Sequence, residues 1–130
     1  MVEFSCMNEI NKISFEVIGA AFKVHSKLGP GLLESAYKEC LCYELKLLGI
    51  EFERECPIPL FYEDIRMAVG YRADLIVEET VLVEIKSVEA INDVHKAQVL
   101  TYLKLSRIKV GLLLNFNVLN MKNGITRLIL

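Results

Sequence analysis

The feature that most constrains the fold is a pair of strand-like segments joined by three residues. Residues 71–77 (YRADLIV) and 81–86 (VLVEIK) are rich in aliphatic and β-branched side chains, which predicts two β-strands. The three residues between them are short enough to form a hairpin loop. If the loop contains only these three, counting back from it places Asp74 directly opposite Glu84 on the neighbouring strand.

This register brings two acids and a lysine together. Side chains alternate between the faces of a strand, so Lys86 shares the face of Glu84. Two carboxylates that face each other among Leu, Ile and Val side chains repel, and the pair needs a cation. A divalent metal beside a lysine is the chemistry of phosphodiester hydrolysis. A two-residue loop would instead place Asp74 and Glu84 on opposite faces.

Length and composition predict one compact domain over residues 1–130. The chain is 53% hydrophobic and 25% charged, as in globular proteins rather than disordered ones. Its first residues carry no basic region leading into an apolar run, so we expect no signal peptide. No apolar run reaches the length of a membrane span. The four cysteines lack zinc-ligand spacing and are expected to be reduced, mostly buried thiols of a cytoplasmic protein.

The charge excludes one way of binding nucleic acid. A net charge of −2 and an isoelectric point near 5.7 argue against attachment through bulk positive charge. A local basic rim stays open, because four basic residues lie close together in the sequence. These residues, which could equally form a solvated surface, are Lys96, Lys104, Arg107 and Lys109.

The remaining elements follow from periodicity and turn signals. Helices are predicted over residues 10–28, from the Gly29-Pro30-Gly31 break to residue 48, and from a cap at Asn92 or Asp93 to residue 105. Further strands are predicted near residues 51–56, 58–62, 65–69, 109–115 and 125–130. Two helices, an antiparallel meander, a crossover helix and further strands indicate an α/β or α+β layer fold.

Two polar residues flank the helix break. Glu34 lies on the first turn of the second helix, where an acid is stabilised by the helix dipole in any case. It could also reach a metal on the sheet, directly or through water. His25 precedes the break and could be a metal ligand, a general base, or a residue stabilised at a helix C-terminus.

A polar stripe is predicted on the crossover helix. Gln98 and Tyr102 lie four residues apart and share a face, with His95 one turn earlier. An amide and a phenol could orient a phosphate or an attacking water without adding charge. The same stripe could be only the wet side of an amphipathic helix.

Taken in order, these residues resemble a known superfamily. The order Glu34, Asp74, Glu84-Ile85-Lys86 and Gln98-x-x-x-Tyr102 is similar to the PD-(D/E)XK nucleases, although Ala73 stands where the motif name has Pro. The run from His25 to Tyr37, which contains Gly31-Leu32-Leu33-Glu34-Ser35-Ala36-Tyr37, resembles the small prokaryotic GxxExxY proteins. Residues 71–75 and Asn115-Phe116-Asn117 also match.

The resemblance implies a restriction-endonuclease-like core, with a central mixed β-sheet flanked by helices. It also implies a nuclease site dependent on Mg²⁺ or Mn²⁺. The metal ligands would be Asp74, Glu84, the Ile85 carbonyl and the helix-borne Glu34. Lys86 would position or deprotonate the attacking water or stabilise charge on the phosphate, while Gln98 and Tyr102 would orient the substrate.

The leading hypothesis is therefore a metal-dependent nuclease that acts on nucleic acid, with DNA expected and RNA left open. An alternative is a non-catalytic module that binds nucleic acid or a protein on the same fold. A third is a homodimer whose first helix or apolar final strand forms the interface. No membrane partner is expected.

Overall fold

A mixed β-sheet forms the centre of the computed structural model, which describes residues 2–130. Its strands lie in the order β1-β2-β3-β4-β5, and all neighbours are antiparallel except β3 and β4. The elements are α1 (Val2–Leu28), α2 (Glu34–Leu47), β1 (Phe52–Tyr62), β2 (Ile65–Val77), β3 (Val81–Lys86), α3 (Asp93–Ser106), β4 (Val110–Asn115) and β5 (Ile125–Ile129). A short 3₁₀ helix, Met121–Gly124, precedes β5.

The predicted hairpin register is confirmed. Val77 pairs with Val81 and Leu75 pairs with Val83, so the loop consists of residues 78–80. Glu78 and Glu79 both have positive φ angles, of 50° and 60°, as in the turns whose twist suits a hairpin. The Thr80 N–H donates a 3.0 Å hydrogen bond to the Val77 carbonyl and closes the turn.

Helices cover both faces of the sheet. One apolar cluster joins α1 and α2 to side chains such as Val83 and Ile85 of β3, and a second joins α3 to Leu82. Strand β4 connects to β3 through α3 and is buried along its whole length, as predicted. A Cβ on Gly111 would lie 2.8 Å from Val99 Cγ1, so α3 packs directly on the β4 backbone. The α/β fold with a mixed sheet is confirmed.

The break between the first two helices is held by a buried tyrosine. Gly29 and Gly31 have φ angles of 66° and 100°, which favour glycine. The Tyr37 hydroxyl donates to the Gly29 carbonyl at 2.6 Å and accepts from the Leu32 N–H at 3.1 Å. Its ring stacks on Phe116, with centroids 4.6 Å apart. Tyr37 therefore fixes the loop from which α2 begins.

Several predicted boundaries were wrong. Helix α1 begins at Val2 rather than near residue 10, and the two segments predicted for each of β1 and β2 are single strands. The β1–β2 pairing changes register between Ile58 and Leu60, which interrupts the sequence pattern without ending either strand. Pro57 is tolerated because β1 is at the sheet edge.

The cysteines are less buried than predicted. Cys42 and Cys56 are buried, Cys40 is half-buried and Cys6 is exposed, and all four are free thiols. Within the described residues, no helix combines the length and the apolar character needed to cross a membrane.

Candidate active site

Asp74 and Glu84 are fixed by hydrogen bonds to each other's strand. The Asp74 N–H donates to Glu84 Oε1 at 2.9 Å, and the Ile85 N–H donates to Asp74 Oδ2 at 2.8 Å. These bonds follow directly after the Leu75–Val83 pair, the last pair of the β2–β3 ladder. At this point of the sheet, the backbone N–H groups of Asp74 and Ile85 donate to side-chain carboxylates rather than to carbonyls of the facing strand. Both carboxylates are therefore held by strands rather than by a loop.

The pair is electrostatically strained. Glu84 is only 6% exposed, and this burial raises the pKa of its carboxyl to about 7, with a further contribution from the negative charge of Asp74. The Asp74 N–H and the cations of Lys86 and Lys38 act in the opposite direction. An added cation would therefore favour the ionised form of Glu84.

Lys38 is a site residue that the sequence reasoning missed. Its ammonium lies 2.9 Å from Asp74 Oδ1 and also contacts the carboxylate of Glu55. Burial lowers the pKa of Lys38, but the bonds to Glu55 and Asp74 outweigh it, so the net shift is upward. One signal could have revealed this residue, because Lys38 lies four residues after Glu34 and shares its helix face.

Glu55 reaches Lys38 from the edge strand. The pairs Arg54–Leu75 and Cys56–Ala73 lie on either side of Glu55 and Asp74. Glu55 has a φ of 51°, a conformation that residues other than glycine rarely adopt. The hydrogen bond from Lys38 lowers the pKa of the Glu55 carboxyl. The sequence gives no local signal for this contact, because β1 and α2 are separate elements.

Lys86 is the last residue of β3 and is half-buried. It lies two residues after Glu84, and its positive charge lowers the pKa of that carboxyl. The Lys86 carbonyl accepts a 3.0 Å hydrogen bond from the Phe116 N–H. The backbone of Lys86 is thus fixed at the strand end while its side chain stays partly accessible.

Tyr102 approaches the acids from α3. It is 6% exposed, and burial raises the pKa of its phenol, followed by the charge of Glu84 and smaller contributions from Tyr71 and Asp74. Its ring lies 6.1 Å from that of Tyr71. Gln98 is half-buried one turn earlier on the same helix face.

His95 does not extend this stripe. The His95 Nδ1 accepts a 3.1 Å hydrogen bond from the backbone N–H of Asn92, and the backbone N–H of His95 donates to Asn92 Oδ1 at 2.9 Å. This reciprocal arrangement caps the start of α3. Of the two predicted cap residues, Asn92 and Asp93, Asn92 is the cap, and the His95 side chain belongs to the same capping arrangement.

Glu34 is the exposed first residue of α2. It lines a groove of about 360 Å³ with neighbouring residues of the helix break and with Ser87. Ser87 Oγ donates to the Leu32 carbonyl at 2.6 Å, so the groove adjoins the end of β3 that carries Lys86. Among the residues described, no three His, Cys, Asp or Glu side chains form a group that could hold a metal. Glu34 is therefore not part of such a group with Asp74 and Glu84.

Comparison with known proteins identifies the family. A family model of the PD-(D/E)XK nuclease superfamily matches residues 11–128. The chain belongs to the PD-(D/E)XK nuclease superfamily. No curated protein and no solved structure matches it. Membership of this superfamily, predicted from the order of motifs, is confirmed, and it implies a nuclease-type activity on nucleic acid.

PD-(D/E)XK nucleases generally depend on a divalent metal, and the donors present here fit one. Asp74 and Glu84 supply carboxylate oxygens, and the Ile85 carbonyl follows Glu84 in the same strand. Mg²⁺ typically binds one or two carboxylates and completes its shell with water. Burial, followed by the negative charge of Asp74, raises the pKa of Glu84, and a bound dication would favour the ionised form that coordinates metal.

Two further polar residues, the candidate His25 and Asn115 of the matching Asn115-Phe116-Asn117 run, are buried and bond to the backbone of neighbouring segments. His25 is buried in the last turn of α1, and its Nε2–H donates to the Val118 carbonyl at 2.7 Å. Asn115 is also buried, and its Oδ1 accepts from the Val88 N–H at 3.1 Å while its Nδ2 donates to the Val88 carbonyl at 3.0 Å. Asn115 therefore fixes the segment after Lys86, a role that sequence reasoning missed.

One residue of the predicted basic cluster, Arg107, lies among acidic side chains. Arg107 lines a groove of about 590 Å³ beside acidic residues of β1 and of the β2–β3 turn. This groove lies at the turn end of the hairpin, whereas Lys86 lies at the opposite end of β3. The acidic residues that line it are Glu51, Glu53, Glu78 and Glu79.

Proposed function

We propose that this chain is a metal-dependent nuclease that hydrolyses phosphodiester bonds in nucleic acid, with DNA as its substrate. The observation that carries the proposal is the reciprocal bonding of Asp74 and Glu84 across β2 and β3. The two carboxylates are held close together at the end of the β2–β3 ladder, where a bound cation would offset their repulsion.

The proposed metal ligands are Asp74, Glu84 and the Ile85 carbonyl, with Glu34 contributing from the rim, directly or through water. Bound Mg²⁺ or Mn²⁺ would act as a Lewis acid and lower the pKa of a coordinated water. The protein holds both carboxylates in one geometry, which limits the reorganisation needed when substrate binds.

Lys86 is the proposed partner of the attacking water. Its position two residues after Glu84 places the ammonium on the same strand face. The neutral amine would take a proton from the water, and the ammonium would stabilise negative charge that develops on the phosphate.

Gln98 and Tyr102 are proposed to orient the scissile phosphate. Both can donate hydrogen bonds without adding charge. Because burial and the nearby carboxylates raise the pKa of Tyr102, its phenol stays protonated at neutral pH and can act as a donor.

A binding module on the same fold is the second candidate. The outer part of the β1–β2 hairpin exposes large apolar side chains, including Phe61, Tyr62 and Ile65. Such a surface favours contact with a protein, or with a second copy of the chain.

We also propose that residues 1–130 form one nuclease-like domain of the GxxExxY type.

A cleavage screen tests the proposed activity. Single-stranded DNA, duplex DNA and RNA would be incubated with the protein in Mg²⁺ or Mn²⁺. We expect Asp74→Asn and Glu84→Gln to lower the rate by about a thousandfold, since each removes a metal-binding charge. Glu9→Gln, on the exposed surface of α1, is the matched control and should cleave like the wild type.

Cleavage that persists in both Asp74→Asn and Glu84→Gln would contradict the assignment. Metal-independent binding of nucleic acid or protein, unaffected by either substitution and without cleavage, would favour the binding module.

A further inference from the structure

Both carboxylate oxygens of Asp74 are already engaged within the protein. Oδ2 accepts from the Ile85 N–H at 2.8 Å, and Oδ1 lies 2.9 Å from the Lys38 ammonium. The ammonium is therefore in contact with the carboxylate that the proposed metal would use. Any cation that binds Asp74 would meet the positive charge of Lys38.

Lys38 is held in this position by two elements. Its side chain is 15% exposed, and its ammonium also contacts Glu55 on β1. Glu55 adopts a left-handed φ of 51° in an otherwise extended strand, a conformation maintained only when its surroundings favour it. Lys38 thus has two acidic partners, and only one of them belongs to the proposed metal site.

We propose that Lys38 is a built-in competitor for the metal at Asp74. In the metal-free protein its ammonium contacts both Asp74 and Glu55, and on metal binding it gives up Asp74 and keeps Glu55. This inference rests on the proposed metal site and adds a control on its affinity. Glu55 is the residue that retains Lys38 after the shift.

The competition has a direct electrostatic consequence. Replacing Lys38 with Met removes the repulsion of an incoming dication and leaves Asp74 without its counter-ion. We expect Lys38→Met to raise the affinity for Mn²⁺ by about tenfold, since charges at contact distance interact strongly even when water screens them. Glu55→Gln should lower the affinity, because Lys38 then has only Asp74 as a partner.

The test is calorimetric titration with Mn²⁺ alone, without nucleic acid. Lys46→Met is the matched control, because it removes the same charge from an exposed position on α2. Thermal unfolding in chelator checks that each variant folds, and Lys38→Gln serves if the Met variant does not. Mn²⁺ should raise Tm more in the Lys38 variant than in the wild type.

Adding Glu55→Gln to Lys38→Met separates two roles of Glu55. If Glu55 acts through Lys38, the second substitution has no effect in the Met background. If Glu55 were itself a ligand, the affinity would still fall, and the proposed shift of Lys38 would be wrong.

The outcomes distinguish this inference from the proposed function. Tighter binding in Lys38→Met with no change in Lys46→Met supports competition. Equal or weaker binding in folded Lys38→Met, beside a wild type that binds, would show that Lys38 supports the Asp74 carboxylate instead. Absence of binding in both folded proteins would overturn the metal site itself.

Discussion

Two regions of this protein gather acidic side chains, but they differ in how the carboxylates are held and in how deeply they are buried. The groove beside the β2–β3 turn has a volume of about 590 Å³ and carries four glutamates near Arg107. The Asp74–Glu84 pair has fewer acids, but backbone N–H groups of facing strands fix both carboxylates. Burial and mutual repulsion raise the pKa of Glu84 to about 7. Fixed geometry and desolvation, rather than the number of acids, distinguish the candidate site.

The same comparison applies to the two ends of the hairpin. At the turn, the strands pair through their backbones from Val77–Val81 to Leu75–Val83. Beyond that point, side chains replace the ladder, and Lys38 enters from α2. The site thus occupies the place where regular pairing stops but rigid strands continue on both sides.

The pH dependence of stability offers the sharpest contrast between the regions. Folding raises the pKa of Glu84 from 4.5 to about 7, so the folded protein binds this proton more tightly than the unfolded chain does. The contribution of protonated Glu84 to the free energy of unfolding is therefore complete below pH 4.5 and is lost as the pH rises to about 7. At 1.36 kcal/mol for each pKa unit, the loss is about 3 kcal/mol.

The measurement is urea unfolding of metal-free protein between pH 4 and pH 8. The difference between wild type and Glu84→Gln should change by about 3 kcal/mol across this range, whereas the difference for Glu79→Gln, on the exposed turn, should stay constant. A constant difference for Glu84→Gln as well would remove the electrostatic distinction between the regions. Saturating Mn²⁺ should make the difference between wild type and Glu84→Gln less dependent on pH, because the metal keeps the Glu84 carboxylate ionised.

A smaller effect is expected in the groove. Arg107 ends α3 with a φ of 61°, where glycine is favoured. Arg107→Gly should therefore stabilise the fold by about 0.5 kcal/mol and leave metal binding and cleavage unchanged. Thermal unfolding measures the change in stability, and the cleavage assay measures activity. Loss of cleavage in Arg107→Gly would show that the groove takes part in the reaction.

The sequence predicted those parts of the site that depend on local spacing. A three-residue loop decides which residues of β2 and β3 face each other and share a sheet face. The register, and with it the neighbouring positions of Asp74 and Glu84, therefore follows from counting back from the loop. Residues typical of helix ends likewise predicted the break before Glu34 and a cap at Asn92 or Asp93, of which Asn92 is the one observed. Strand β4 was predicted as buried because its residues are continuously apolar.

Non-local contacts could not be predicted in the same way. Lys38 and Glu55 belong to different elements, and their meeting depends on how α2 packs and on a rare backbone angle in β1. The resemblance singled out the tyrosine of the GxxExxY motif, but spacing did not show that Tyr37 holds the loop between the helices. His95 was grouped with Gln98 by helical periodicity, whereas its contacts belong to the cap.

The central claim is that the Asp74–Glu84 pair, and not the acidic groove beside the β2–β3 turn, binds a divalent metal. Titration calorimetry with Mg²⁺ and Mn²⁺ on wild type, Asp74→Ala and Glu79→Gln tests it most directly. We predict binding by wild type and Glu79→Gln that is lost in Asp74→Ala. Binding that survives in Asp74→Ala and disappears in Glu79→Gln would contradict the claim and assign the metal to the groove.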